Sequence, residues 1–193
     1  MENRQQKMAE FVKLTKQYAP QEGLSLTSIE NLVIYKNSQR QLLNPQVYPS
    51  GIVFGAQGKK QVYLDGKRYD YNAGNFMALF APLPVECEIL EASPEKPLLG
   101  AGIFFDRNRI ANLLLKMDLA ESPPVKPDTT NTSAIFSGPI KDNMLDAVIR
   151  LLKTLSNPSE AAILGEAIID EIYFRILTIY TFPCIMEAIP RGA

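Results

Sequence analysis

The sequence predicts an α+β chain in which a small β-barrel is followed by an α-helical hairpin, and two observations carry that reading. Residues 52–98 break into short apolar runs with glycine or proline punctuation every eight to twelve residues, the pattern of a sandwich or barrel. Residues 139–180 hold two stretches of helical apolar periodicity separated by Asn157-Pro158, the pattern of an antiparallel helical pair.

Each element can be justified in chain order. Residues 1–24 form an N-terminal helical segment, the helix itself over 2–19, because Met8, Phe11, Val12, Leu14 and Tyr18 recur at helical spacing before Pro20 and Gly23 stop it. The barrel occupies 25–105. Leu32-Val-Ile-Tyr35 is its first strand, and Asn44-Pro45 with Tyr48-Pro49-Ser50-Gly51 reads as a loop. Lys60 to Tyr71 is a hairpin whose Asp65-Gly66 tip predicts a type I′ turn, with φ positive at both residues. Apolar runs at 76–80, 85–90 and 97–105 supply further strands.

A helical part over 106–180 follows. Asp106 caps a helix from Arg107 to Met117, where Ile110, Leu113, Leu114 and Met117 share a face. Residues 121–137, with Pro123, Pro124 and Pro127, read as a loop. Gly138-Pro139 opens the next helix. Ser159 caps the last, which runs to Tyr180. On that last helix Ala161, Gly165, Ile168, Ile169, Ile172, Tyr173, Ile176 and Tyr180 form a broad apolar face, and Ile163, Phe174 and Leu177 fall outside it. Such a helix is either packed on both sides or sits in a subunit interface, so these three residues are the candidate dimer contacts. Residues 181–193 form an irregular tail.

Composition narrows the chemistry. The 193 residues are 46% hydrophobic and 21% charged, with a net charge of −1, which suits a soluble globular domain and gives no basic surface for nucleic acid. No run is long enough to span a membrane and no signal peptide is visible. Cys87 and Cys184 are too far apart to suggest a disulfide framework, so the sequence predicts a cytoplasmic protein. Lys59 and Lys60, with Lys67 and Arg68, read as solvated charges flanking the hairpin.

There is no histidine, so the commonest metal ligand and the commonest general base are both missing. The sequence therefore predicts no metal, no cofactor and no catalytic residues. Glu86 and Glu88 share the outer face of a strand, with Val85, Cys87 and Ile89 on the inner face. Gly100-Ala-Gly102 lacks the third glycine and the helix of a dinucleotide site. Tyr63, Tyr69, Tyr71, Phe76 and Cys87 are the candidate ligand-binding residues of the barrel interior.

The stretches Ile52 to Val62, Tyr69 to Gly74, Leu83-Pro84-Val85 and Glu91 to Leu98, followed by Leu145 to Leu152 and Glu171 to Leu177, run in an order and spacing similar to the N-terminal regulatory domain of AraC-type transcriptional regulators. The resemblance covers residues 25–178. It implies a cupin-like barrel (a double-stranded β-helix), an unidentified small-molecule effector, a homodimer, and DNA as the partner of a full-length regulator. After Leu177 this sequence departs from the family, whose members continue into a basic DNA-reading domain with two helix-turn-helix units. The expectation is that this polypeptide lacks that domain and does not bind an operator alone. The other class the residues leave open is a small, metal-independent cupin enzyme, isomerase-like, working with Glu, Asp, Tyr, Lys or Cys.

Overall fold

The computed structural model describes residues 4–119 and 134–179. Among them the strands are β1 (Gly23–Leu26), β2 (Leu32–Asn37), β3 (Gln41–Tyr48), β4 (Gly51–Gln57), β5 (Lys59–Leu64), β6 (Lys67–Asn72), β7 (Asn75–Leu79), β8 (Leu83–Glu91), β9 (Leu98–Phe104) and β10 (Ile135–Pro139). The helices are α1 (Arg4–Gln17), α2 (Arg107–Leu119), α3 (Asp142–Thr154) and α4 (Pro158–Ile179). A six-stranded sheet has the order β1-β2-β9-β4-β7-β10 and a four-stranded sheet the order β3-β8-β5-β6, with antiparallel neighbours throughout.

The six-stranded sheet serves two cores. Side chains alternate across a strand, so Leu99, Ala101 and Ile103 of β9 join Ile34, Phe54 and Phe76 in a cluster with the helices. Met77 and Leu79 point the other way and join Val62, Val85 and Cys87 of the four-stranded sheet. Of the helices, α3 is the most strongly two-sided, its buried side including Met144, Val148, Leu151 and Leu152. Helix α1 lies along α3 through Arg4 to Asp142 and through Lys7 Nζ to Asp146 at 2.9 Å. Arg109 of α2 reaches Glu166 and Asp170 of α4. The Tyr173 hydroxyl of α4 donates to the Phe104 carbonyl at 2.8 Å and accepts the Asp106 N–H at 3.4 Å, pinning α4 to the junction of β9 and α2.

The Asp65-Gly66 turn has φ of 50° and 74°, as the type I′ assignment requires. Asp106 accepts the Arg109 N–H at 3.1 Å and so caps α2. Several expectations are corrected. Asn44-Pro45 lies inside β3, not in a loop; β3 is an edge strand, where a missing N–H does no harm. A strand before β2 was not foreseen, and β1 now forms the other sheet's edge. Residues 135–139 are β10, paired to β7 with Ile135 opposite Leu79, so Gly138-Pro139 ends a strand and α3 starts at Asp142. The cap of α4 is Asn157, whose Oδ1 accepts the Ser159 N–H at 3.0 Å, which makes Pro158 the first helical residue. The remainder of the 121–137 loop, together with Tyr180, Cys184 and the 181–193 tail, lies outside the described residues.

Candidate functional site

The two sheets do not fill the space between them. Toward the β1 and β3 edges they leave a cavity of about 220 Å³. Its wall from the six-stranded sheet carries Val33, Tyr35, Val53 and Leu79, and its opposite wall Gln46, Tyr48, Lys60 and Tyr71. Leu24 of β1 and Val47 of β3 line it and are 54% and 74% exposed, so they mark the mouth.

Glycine makes the room. On β9, Gly102 lies at the cavity wall, and a Cβ there would stand 3.2 Å from Val33 Cγ2 and 3.4 Å from Val53 Cγ1. Gly100, two residues earlier on the same face, has the Tyr71 hydroxyl where its Cβ would be, at 2.1 Å. Tyr71 is thereby drawn across the interior, and its hydroxyl donates to the Phe54 carbonyl at 3.2 Å. Burial raises the Tyr71 pKa, and it does the same for Tyr35. For Tyr48 burial acts first and the Cys87 thiol beside it adds to the rise.

Lys60 is the one charged residue of the lining. It pairs with Tyr71 across the hairpin, and the pleat puts it on the inner face with Val62. Only 4% of it is exposed. Its Nζ lies 5.1 Å from the centroid of the Tyr35 ring and 5.2 Å from that of Tyr48, a cation held between two π-faces. Burial lowers its pKa, with an opposing influence from Cys87. This corrects the expectation that Lys60 is solvated.

The candidates read from the sequence separate. Tyr71 lines the cavity, and Cys87 is buried behind Tyr48 and Lys60. Tyr69 packs on the Val62 and Met77 cluster without lining the cavity. Tyr63 is on the outer face, its hydroxyl donating to Glu88 at 2.6 Å with Gln61 Oε1 2.9 Å away, because it is one residue out of step with Val62. Phe76 faces the helices. The reading missed Lys60, Tyr35 and Tyr48. For Lys60 a signal existed in the alternation Lys60, Val62, Leu64; for Tyr48 the proline on either side masked the strand. No three His, Cys, Asp or Glu side chains among the described residues are grouped to hold a metal.

On α4, Ile163 is 72% and Phe174 41% exposed, whereas Leu177 is 2% exposed and belongs to the helical core, which removes it from any surface patch. No helix among the described residues is long and apolar enough to cross a membrane.

None of the curated proteins matches the chain in sequence. Among solved structures, a ligand-free variant of ToxT from Vibrio cholerae superposes with a TM-score of 0.54 at 8% identity, over 83% of this chain and 59% of that one. ToxT bound to an unsaturated fatty acid gives 0.51 at 7% identity, over 77% and 55%. This chain thus spans less than two thirds of the length of those proteins, and the likeness is one of fold. The family described as the AraC-type transcriptional regulator N-terminus matches residues 28–180, most of the chain and all ten described strands but β1. The chain belongs to the AraC-type transcriptional regulators, as their N-terminal domain.

Proposed function

We propose that this chain is the effector-binding, non-enzymatic regulatory domain of an AraC-type transcription regulator, cytoplasmic, with a cupin-like arrangement of its two sheets. The observation that carries the reading is the intersheet cavity: an apolar chamber with an exposed mouth and a single charged group inside. A catalytic reading would need acid–base groups converging on that space, and the lining offers one lysine and three tyrosines with raised pKa values instead.

The output runs through β9. Phe104 lines the cavity, and its carbonyl is the acceptor for Tyr173 of α4. A ligand that prefers one position of the end of β9 therefore biases the position of α4 relative to α2, which is the differential contact that coupling requires. Operator reading belongs to another part of such a regulator, since α4 is acidic, with Glu160, Glu166, Asp170 and Glu171 against Arg175. Ile163 and Phe174 would contribute to a homodimer contact.

A thermal-shift screen of sugars, aldehydes, fatty acids and aromatic acids tests the reading. A ligand at a hundred times its dissociation constant stabilises the fold by about 2.7 kcal/mol. Gly102→Leu, which puts a side chain into the cavity, is expected to abolish that shift while the protein stays folded. A ligand whose stabilisation survives Gly102→Leu binds elsewhere and would remove the cavity from the proposal.

A further inference from the structure

Resting on the reading of the intersheet cavity as the effector site, we infer that its ligand is a small apolar monocarboxylate, carrying one ring or a chain of up to about ten carbons, with the carboxylate seated on Lys60 Nζ.

The polar inventory of the chamber leads there. The Tyr71 hydroxyl is already used on the Phe54 carbonyl, while the Tyr48 hydroxyl stands beside the Cys87 thiol and the Tyr35 hydroxyl beside Asn37. Gln46 is only partly buried. Lys60 differs from all of these. Its ammonium has three donors and meets the ring faces of Tyr35 and Tyr48, with the Cys87 thiol nearby; no carboxylate among the described residues forms an ion pair with it. A buried charge without a counter-charge is unfavourable, and a desolvated carboxylate arriving at the same point relieves both partners. A ligand cation would instead meet a like charge, and a neutral ligand would leave the ammonium unpaired.

The rest of the wall sets the body of the ligand. Val33, Val53, Leu79 and the bare backbone of Gly102 offer no side-chain hydrogen bonds to a polyol, so the hydroxyls of a sugar against that wall would be buried unpartnered. Volume sets the size. An apolar cavity of roughly 150 Å³ accepts benzene, so about 220 Å³ accommodates a ring with a short acid-bearing arm. A long hydrocarbon chain would run out through the mouth between Leu24 and Val47.

Calorimetric titration with a charge series separates the possibilities. The probes are 3-phenylpropanoate, 3-phenylpropan-1-ol and 3-phenylpropan-1-amine, with octanoate and octan-1-ol as the chain counterparts. The acids are expected to bind at least tenfold more tightly than the alcohols, and the amine not at all. Lys60→Met should bring acid and alcohol to the same affinity, with Lys60→Gln as the second variant should the first fail to fold, as checked by circular dichroism. Equal binding of acid and alcohol to the parent protein would overturn the inference, as would an acid preference that survives both substitutions. A reducible adduct of 3-phenylpropanal on Lys60, with no binding of the acid, would overturn it in favour of a carbonyl ligand. If none of the probes binds but the broader screen yields a Gly102-sensitive ligand of another class, the inference fails and the effector reading stands; if neither yields a ligand, both fail.

Discussion

Lys60 carries the energetic penalty of a buried ammonium, and removing it should be measurable. Replacing it by methionine keeps the stem and deletes the buried ammonium, so Lys60→Met is expected to stabilise the ligand-free protein by about 1–3 kcal/mol at pH 7, read from urea unfolding. The pH dependence has a definite sign. Facing the ammonium are Tyr35, Tyr48, Tyr71 and Cys87; burial raises the pKa of all three tyrosines, and it holds the folded pKa of Lys60 below its ordinary 10.5. Between those two values the unfolded chain binds more protons than the folded one, so stability rises with pH there. The stability advantage of Lys60→Met should shrink over that interval; a gap that widens with pH would contradict this. Gly100 makes the opposite case. A methyl group there would collide with the Tyr71 hydroxyl and stand 2.7 Å from the Phe54 carbonyl, so Gly100→Ala should cost about 1–3 kcal/mol. Neither residue was legible as part of a site. Composition places lysine in water and treats Gly-Ala-Gly as punctuation. Only the packing of Val62 against Met77 and Leu79 of the other sheet, a tertiary fact, decides which side of the strand is the interior.

At the scale of elements, the strands were legible where turn chemistry is strong and obscure where proline stood in them. Asp65-Gly66 fixed the β5–β6 register because few residue pairs accept two positive φ values. β3 and β10 were hidden because Pro45 and Pro139 read as breakers, and both are harmless on sheet edges, a position that local sequence does not encode. The caps offer a direct test. Asn157→Ala should destabilise by about 0.5–2 kcal/mol, while Ser159→Ala, outside the cap, should change little. Tyr173→Phe removes the hydroxyl shared between Phe104 and Asp106 and should cost about 1–3 kcal/mol, since a part-buried carbonyl and N–H lose their partner. It should also weaken the response of α4 amide exchange to any cavity ligand, because the bond from β9 to α4 is gone.

Across the whole molecule, the question left by α4 is which of its apolar residues are available. Ile163 and Phe174 are eleven residues apart, about three helical turns, and so share one face, whereas Leu177 is interior. If that face joins two copies, Phe174→Glu should give a folded monomer in sedimentation experiments on a parent that dimerises. Leu177→Ala should instead lower stability by about 2–5 kcal/mol through a cavity in the helical core, without a specific effect on association. The reading from periodicity grouped the three because a helical wheel reports angle on the cylinder and not what stands opposite it.

The two-faced character of β9 has a consequence for how such a domain could diversify. Gly100 and Gly102 face the four-stranded sheet, Gly100 beneath Tyr71 and Gly102 at the chamber wall, while the Leu99, Ala101 and Ile103 side chains pack with the helices, and the pleat keeps the two sets apart. On the proposed reading, changes confined to the first set reshape the chamber and leave the surface packed against the helices as it was. The shape of that chamber and the packing of the helices are thus written in alternate letters of one strand, so the first can be redrawn without rebuilding the second.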